Sequence, residues 1–264
     1  MPRVLCVIPT HSHFEFVRRA VESFFEHSGH DDQVWLIDDA SPDWQAGEEA
    51  HIAPLRQRFG SRLFAVHFPV NGGVIRSWNE GLRMAKSSQA EYVAIANSDV
   101  IFSPYWRKGL LRTLEDFQLA GPLTNCPGPV QYSRQRVDGL VPGYTPSDDP
   151  WKIRETVEYL HKHYWGCSIE GPINGFFMVA RLATWQEGRF DDNNVFNPCN
   201  TYNSKGERNP TPLMTLGEDE LQRRWREKGW RIGIAQSSFI VHYRAVSRGP
   251  AYAKAEGTFR PANI

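Results

Sequence analysis

Short apolar runs alternate with amphipathic segments along the first 96 residues. Such runs at residues 4–8, 34–37, 63–68 and 92–96 predict buried strands, whereas apolar spacings of three and four residues predict helices at 15–27, 47–59 and 75–86. Pro54 is expected to break or kink the second helix. This β-α-β-α-β-α-β order is typical of a parallel sheet with right-handed crossovers, so the sequence predicts an α/β fold.

The composition gives no sign of a nucleic-acid or membrane surface. The 264 residues carry 30 basic and 30 acidic side chains, so no overall field favours either partner. No apolar run approaches the ~20 residues that span a bilayer, and the first predicted strand begins too early for a signal peptide. Four scattered cysteines without a C-x-x-C pair are typical of reduced thiols. These features predict a cytoplasmic protein and leave peripheral attachment to a membrane open.

Polar residues follow three of the four predicted strands. They are Thr10 with His11, Asp38 with Asp39, and Asn97 with Asp99. In open α/β sheets, ligands bind outside the carboxyl ends of the strands, so these residues predict a nucleotide site. A carboxylate such as Asp99 can hold a divalent cation, which in turn holds a diphosphate. A simple turn is the alternative at residues 97–99, because Asn, Ser and Asp are common in turns.

Two familiar nucleotide-binding motifs are absent from the sequence. Residues 9–13 read Pro-Thr-His-Ser-His where a dinucleotide-binding dehydrogenase carries G-x-G-x-x-G. No G-x-x-x-x-G-K-[ST] loop occurs, so P-loop chemistry is not expected. Asn71-Gly72-Gly73 is adequately explained as a turn before a helix.

The second half of the sequence is less regular. Six prolines between residues 121 and 150 predict a loop, and apolar spacing over residues 151–164 predicts a helix. Residues 193–212 are polar and loop-like. Trp151, Tyr164 and Trp165 are either platforms for a sugar or base or core residues, with core packing expected for at least two of them. A short strand is predicted at residues 237–241, immediately before His242.

A series of loose motifs runs through both halves in a specific order. The series is Pro9-Thr10, Asp38-Asp39, Asn71-Gly72-Gly73, Asn79-Glu80-Gly81-Leu82, Asn97-Ser98-Asp99, residues 175–181, residues 188–192, Gly217-Glu218-Asp219-Glu220-Leu221 and Ile240-Val241-His242-Tyr243. This order resembles family 2 glycosyltransferases, over the whole chain except about residues 120–170 and the tail. The resemblance implies the GT-A fold, with a single Rossmann-like, mostly parallel sheet flanked by helices and a C-terminal acceptor-side portion.

The resemblance also implies a nucleoside site at the carboxyl ends of the first two strands. Thr10, preceded by Pro9, and Asp39 look like the pair that contacts the nucleoside of the donor. The carboxylate of Asp39 would accept from a pyrimidine imide N–H, with the cap of a turn as the alternative. Asp38 is expected to cap a turn.

Three further residues are placed at the donor site by the resemblance. Asn71 and Asn79 would shape the pocket of the base. Arg76 would reach the ribose or a phosphate, and a solvated helix face is the alternative. The expected donor is a nucleoside-diphosphate sugar, with UDP- or TDP-sugars most expected.

Asn97-Ser98-Asp99 resembles the D-x-D motif with its first Asp replaced by Asn. By this resemblance Asn97 and Ser98 lie against the donor, and Asp99 binds the metal. His242 resembles the histidine that completes the metal site, although a lone histidine after a strand is otherwise a structural hydrogen bonder. An imidazole beside carboxylate and diphosphate oxygens suits Mn²⁺ better than Mg²⁺.

The acidic run Glu218-Asp219-Glu220 opens a predicted helix. Acidic residues in a first turn also favour the helix dipole, so some of them can be purely structural. The resemblance implies that this run supplies the general base, which deprotonates the acceptor hydroxyl for an inverting displacement. Asp219 is assigned as the base. Glu218 is the alternative, because the gap to the following acidic-Leu step is shorter than is usual in the family.

These assignments divide the chain by function. Residues 1–118 would bind the donor, residues 119–246 would bind the acceptor within the same domain, and residues 247–264 would form a tail or lid. The expected activity is metal-dependent hexosyl or deoxyhexosyl transfer to a saccharide or glycoconjugate. A modified nucleic-acid base is an alternative acceptor, against which the neutral charge argues. A catalytically silent nucleotide-sugar-binding module is a third interpretation, and the oligomeric state is left open.

Overall fold

Strands and helices alternate along the first half of the computed structural model, which describes residues 3–128, 130–198 and 217–243. The strands here are β1 (Val4–Thr10), β2 (Gln33–Asp39), β3 (Leu63–Phe68), β4 (Tyr92–Ala96) and β5 (Val100–Phe102). The helices are α1 (Phe14–His27), α2 (Trp44–Gly47), α3 (Ala53–Phe59) and α4 (Val74–Ala85). A π-helical turn at Glu48–Ile52 joins α2 to α3, and a 3-10 turn follows at Gly60–Arg62. The predicted alternation is confirmed, with β3 and β4 at their predicted bounds.

The helix predicted at 47–59 is interrupted directly before Pro54, in agreement with the predicted break or kink, because the π-helical turn separates α2 from α3. Pro54 lies in the first turn of α3, directly after the π-helical turn. A proline is tolerated there because the N–H groups of a first turn have no intrahelical partner.

The second half contains β6 (Leu119–Leu123), β7 (Ser168–Glu170), β8 (Phe177–Arg181) and β9 (Ile232–His242). Its helices are α5 (Trp106–Thr113), α6 (Pro150–Tyr164), α7 (Leu182–Glu187) and α8 (Glu218–Glu227). The predicted loop at 121–150 begins inside β6 and contains a 3-10 turn at Val130–Gln135, which the many prolines concealed. The strand predicted before His242 is the end of the longer β9.

One sheet runs through both halves of the described chain. Its order is β3-β2-β1-β4-β8-β6-β9-β5, and β7 pairs with β9. The strands β3, β2, β1 and β4 are parallel to one another, and so are β6 and β9. The strand β8 pairs antiparallel with β4 and with β6, and thereby joins the two halves. The predicted α/β fold with a mostly parallel sheet flanked by helices is confirmed.

Alternate residues of the strands pack on opposite faces of the sheet. On β1, Val4, Cys6 and Ile8 lie in the core that α1 covers, whereas Leu5 and Val7 lie in the core that α4 covers. Both faces of the sheet are therefore buried, which explains why the sequences of the first strands are continuous apolar runs. Burial of each such side chain contributes about 1.5–3 kcal/mol.

Two large aromatic side chains of the second half lie outside this core. Trp151 is 67% exposed and Trp165 is 50% exposed, whereas Tyr164 packs partly against the core. The expectation that at least two of these three residues pack in the core is therefore wrong. No helix within the described residues is long and apolar enough to cross a bilayer.

Candidate donor and catalytic site

The polar residues predicted for the donor site lie along one edge of the sheet. Thr10 ends β1, Asp39 ends β2, and Asn97 follows β4. The register pairs Thr10 with Asp38, so β1 and β2 end side by side. Parallel strands present their carboxyl ends together, and this is the edge at which open α/β sheets bind ligands.

Asp38 and Asp39 have separate sets of partners. The buried carboxylate of Asp38 accepts from the backbone N–H of Ser41 at 3.0 Å and from the Ser41 hydroxyl. It also lies 2.6 Å from His67 Nδ1. These contacts close the turn after β2, as predicted for Asp38.

Asp39 holds the turn that precedes α4. Its carboxylate accepts from the N–H groups of Gly72, at 3.0 Å, and Gly73, at 2.6 Å. Arg76 donates to the same carboxylate and to the carbonyl of Val70. The Asp39 carboxylate is thus fixed by two N–H groups and one guanidinium, which matches the alternative that Asp39 caps a turn. The N–H of Gly72 also lies 3.2 Å from the second carboxylate oxygen, so each oxygen has two donor contacts, and a contact of Asp39 with a nucleoside stays a prediction.

Arg76 does not lie on a solvated helix face, so that alternative is wrong. Its guanidinium is ion-paired with Asp39 and stacks over the Phe68 ring at 4.8 Å from the centroid. Arg76 therefore fixes Asp39 and the 70–73 turn. A role at ribose or phosphate stays a prediction.

The turn after β1 presents Thr10 and His11 towards the turns that follow β2 and β3. Pro9 is a buried strand residue, and the Thr10 hydroxyl donates to the carbonyl of Ser12 at 3.0 Å. The ring of His11 donates through Nδ1 to the carbonyl of Asp39 at 2.8 Å. Asn71 Oδ1 accepts from the N–H of Gly73 at 3.1 Å.

Asn79 lies elsewhere, inside the protein. Its Oδ1 accepts from the N–H groups of Val195, at 3.0 Å, and Phe196, at 2.8 Å, while its Nδ2 donates to the carbonyl of Phe196 at 2.9 Å. All of these contacts are buried. Asn79 therefore tethers the 195–196 segment to α4, a role that the sequence did not predict.

Residues 97–99 form a bend that two other segments hold. The N–H of Asn97 donates to the carbonyl of Phe176 at 2.8 Å, and the carbonyl of Asp99 accepts from the N–H of Tyr243 at 3.0 Å. Ser98 lies between them and is partly buried. The bend thus brings the carboxylate of Asp99 to the end of β9.

His242 and Asp99 meet at this bend. The Nε2 atom of His242 lies 3.5 Å from Asp99 Oδ1. The other ring nitrogen, Nδ1, lies 3.1 Å from the carbonyl of Cys126, which can only accept. In the neutral ring Nε2 therefore carries the lone pair, and it faces the carboxylate. Phe176 stacks on the imidazole with centroids 4.8 Å apart and fixes its plane.

This pair has the chemistry of a divalent-metal site. A carboxylate oxygen and an imidazole nitrogen are both ligands of Mn²⁺, and a carbonyl behind a metal-binding histidine sets the ring's tautomer and orientation. Among the described residues no group of three or more His, Cys, Asp or Glu side chains could hold a metal. The described residues would thus supply two ligands, and they fit a cation that a diphosphate also binds.

The acidic run lies at the start of α8, where each of its three carboxylates has a different partner. Glu218 Oε1 accepts from the N–H of Gly175 at 3.2 Å. Asp219 is exposed and accepts from the hydroxyl of Tyr132 at 2.5 Å. Glu220 is buried and pairs with Arg224 at 3.0 Å, so it is structural.

Short links connect the α8 carboxylates to the Asp99–His242 pair. Gly175 contacts Glu218, and the next residue, Phe176, stacks on His242 and binds Asn97. The 175–176 segment therefore contacts Glu218 on one side and His242 and Asn97 on the other. The side chain of Asn79, which was also predicted to lie at the site, binds the buried carbonyl of Phe196 instead.

Tyr132, Cys126 and Phe176 are site residues that sequence reasoning missed. Tyr132 and Cys126 lie in the proline-rich stretch, which gave no periodic signal, and the Cys126 contact uses only its carbonyl. Burial raises the pKa of the Tyr132 hydroxyl well above its usual range, and the charges of Glu218 and Asp219 act in the same direction. Tyr132 therefore stays protonated as a donor at any physiological pH.

Parts of the predicted acceptor side and tail lie outside the described residues. These parts are residues 199–216, which include most of the polar loop predicted at 193–212, and residues 244–264, which include the predicted tail or lid. The division into residues 1–118 and 119–246 remains a prediction.

The comparisons with known proteins agree with this fold. A model of the glycosyl transferase family 2 matches residues 5–185. The match covers more than half of the sequence, and the chain belongs to this family of glycosyltransferases. The predicted family is thereby confirmed, and the motifs at residues 188–192, 217–221 and 240–243 lie outside the match. No protein of curated function matches the sequence.

A solved structure supports the same conclusion about the fold. The crystal structure of GalNAc-T7 with UDP, GalNAc and Mn²⁺ superimposes with a TM-score of 0.62 and 12% sequence identity. The similarity covers 92% of this chain and 44% of that chain, so this chain spans less than half of that protein's length. At this identity the likeness shows the GT-A fold alone.

Proposed function

We propose that this protein transfers a sugar from a nucleoside-diphosphate sugar to an acceptor hydroxyl with inversion at the anomeric carbon. The observation that carries the proposal is the Asp99–His242 pair, 3.5 Å apart at the carboxyl edge of the sheet, with the imidazole oriented by Cys126. An imidazole nitrogen and a carboxylate oxygen side by side are both ligands that Mn²⁺ accepts. UDP and Mn²⁺ are the first candidates, since the similar GT-A structure contains both.

The residues divide into donor and catalytic groups. In this proposal the nucleoside would be contacted by Pro9, Thr10, Asp39 and Asn71. Arg76 holds Asp39 in place. The ribose would be contacted by Asn97 and Ser98. Asp99 and His242 would hold the divalent cation, which would stabilise negative charge on the departing diphosphate.

The proposed chemistry is a single displacement. The acceptor oxygen forms a bond to the anomeric carbon while the bond from that carbon to the diphosphate oxygen breaks. The leaving diphosphate takes the electron pair, and the Asp219 carboxylate takes the acceptor's proton. Asp219 is preferred to Glu218 because it is exposed at the helix start, whereas Glu218 contacts the Gly175 backbone. The proposed acceptor is a saccharide or glycoconjugate.

Release of nucleoside diphosphate from a panel of donors, with Mn²⁺ and with or without glycan acceptors, tests this function. Asp219→Asn is expected to lower kcat about 10²–10⁴-fold, because general-base catalysis typically contributes that much, and to leave donor binding unchanged. Glu218→Gln is the matched comparison and is expected to retain more activity. Full activity of Asp219→Asn would exclude it as the base. Absence of release with every donor, alone or with glycans or DNA, would contradict the proposed function.

A further inference from the structure

A buried tyrosine approaches the proposed base from the least regular part of the chain. Tyr132 is 2% exposed, yet its hydroxyl reaches the carboxylate of the exposed Asp219 and donates to Oδ1 at 2.5 Å. Within the described residues Tyr132 is the one hydrogen-bond donor to this carboxylate. Among the described residues no hydrogen bond is made to the other oxygen, Oδ2.

The backbone that carries Tyr132 is held from two sides. Tyr132 lies in the 3-10 turn at Val130–Gln135, and the buried side chain of Gln135 closes this turn. Gln135 Nε2 donates to the carbonyl of Pro122 at the end of β6, and Gln135 Oε1 accepts from the N–H of Asn174 at 2.7 Å. The Tyr132 hydroxyl thus has a fixed place relative to the 173–175 segment.

The start of α8 is attached to the same segment by a different side chain. Gln222 is buried, and its amide bonds both the N–H and the carbonyl of Ile173 at 2.8 and 2.7 Å. Its Nε2 also donates to the carbonyl of Glu218. Because Gln222 fixes the helix, the Tyr132 hydroxyl is not required to hold α8 in place. The Tyr132 hydroxyl instead sets the direction of the Asp219 side chain.

We propose that Tyr132 is a positioning residue for the general base. Its hydroxyl holds Asp219 Oδ1, selects one rotamer of the carboxylate and directs Oδ2 to the acceptor hydroxyl. This inference rests on the proposed function of Asp219. It also explains why each carboxylate of the acidic run has its own partner. These pairs are Glu218 with Gly175, Asp219 with Tyr132, and Glu220 with Arg224. Misplacing a catalytic group by about 1 Å can cost about 10²-fold in rate.

The variant Tyr132→Phe tests the inference, because it keeps the buried ring and removes the hydroxyl. We expect kcat for transfer to fall about 10-fold or more, with KM for the donor and the donor-induced rise in melting temperature unchanged. A purely structural role would change stability and donor binding instead. Tyr144→Phe is the matched control, since its buried hydroxyl has no hydrogen-bond partner among the described residues. It should have the kcat of the wild type.

A second variant tests the same geometry without altering the tyrosine. Asp219→Glu lengthens the side chain by one methylene, so that contact with Tyr132 displaces the carboxylate, and kcat should fall while donor KM is kept. Wild-type kcat in Tyr132→Phe, or in Asp219→Glu where the tyrosine variant does not fold, would overturn the inference. An inactive wild type would instead overturn the proposed function. Loss of activity in Glu218→Gln but not in Asp219→Asn would move the base to Glu218 and overturn the role of Tyr132.

Discussion

Asp38 and Asp39 are adjacent residues whose carboxylates bind different groups. Asp38 is wholly buried and binds Ser41 and His67, whereas Asp39 binds the glycine turn and Arg76. At the end of a strand, successive side chains point to opposite faces, so such a pair naturally divides. Asp38 shapes the turn after β2, and Asp39 holds the turn before α4.

Asp38→Asn is expected to destabilise the fold without touching the proposed donor contact. The amide turns an N–H₂ group towards buried donors that the carboxylate now satisfies, and a buried donor left without an acceptor costs about 1–3 kcal/mol. The free energy of unfolding in urea measures this loss. Asp116→Asn is the control, because Asp116 is exposed. Equal stability of the two variants would contradict the structural role of Asp38.

The sequence predicted which residues lie at the carboxyl edge of the sheet, but not which groups they contact. The strand–polar-turn pattern correctly placed Thr10, Asp39 and Asn97 at one edge, because parallel strands end together. The contacts of Asn79 with Val195 and Phe196 span more than 100 positions, and no local pattern encodes them. Likewise, the position of Tyr132 depends on the tertiary contacts of Gln135.

At the scale of elements, α4 packs unusually close to the sheet at Gly81. A Cβ atom added there would lie 2.3 Å from Val7 Cγ1 on β1 and 3.1 Å from Ile37 Cδ1 on β2. Glycine in a helix interior costs about 1 kcal/mol relative to alanine, so its presence needs a packing reason. The close approach gives one, and it brings the 71–73 turn at the start of α4 close to Asp39.

Gly81→Ala should therefore destabilise the protein although alanine favours helices. Overpacking of a well-packed core costs about 1–3 kcal/mol, which exceeds the gain of about 1 kcal/mol in propensity at all but the low end of that range. Unfolding in denaturant gives the difference. Gly139→Ala is the control, since no atom lies within 4 Å of its added Cβ. A more stable Gly81→Ala would show that α4 can move away from the sheet without cost.

Periodicity predicted the elements of the first half well and those of the second half less well. Strands buried on both faces leave long apolar runs, and β3 and β4 were placed to the residue. The 3-10 turn at Val130–Gln135 is too short for a helical period. The break or kink predicted at Pro54 is present as a π-helical turn, after which α3 begins with the proline in its first turn.

At the scale of the whole molecule, polar side chains join the two halves around the proposed metal pair. Arg19 on α1 donates to the hydroxyl of Tyr243 at 2.7 Å, and that hydroxyl donates to Asp148 at 3.1 Å before α6. The N–H of Tyr243 in turn holds the carbonyl of Asp99. The ends of β4 and β9 are therefore fixed relative to helices from both halves.

A second link lies towards the opposite end of the sheet. Asp32, just before β2, accepts from the N–H of Val4 at the start of β1 and pairs with Arg107 on α5 at 2.9 Å, with both side chains almost fully buried. The donor edge is thus supported by contacts at both ends of the strands. The sequence indicated the sheet that these contacts stabilise, but not the pairs themselves, which join distant parts of the chain.

The central claim is that Asp99 and His242 bind a divalent cation together with a nucleoside diphosphate. The most direct measurement is the melting temperature of the wild type and of Asp99→Asn with UDP, each with Mn²⁺ or with a chelator, and with Asp116→Asn as the control. UDP at about 100 times its Kd stabilises the native state by about 2.7 kcal/mol. At about 2–4 °C per kcal/mol, the wild type and Asp116→Asn should melt roughly 5–10 °C higher, only with Mn²⁺. Asp99→Asn should show no such rise. An equal rise in Asp99→Asn, or one that persists in the chelator, would contradict the assignment of the metal site.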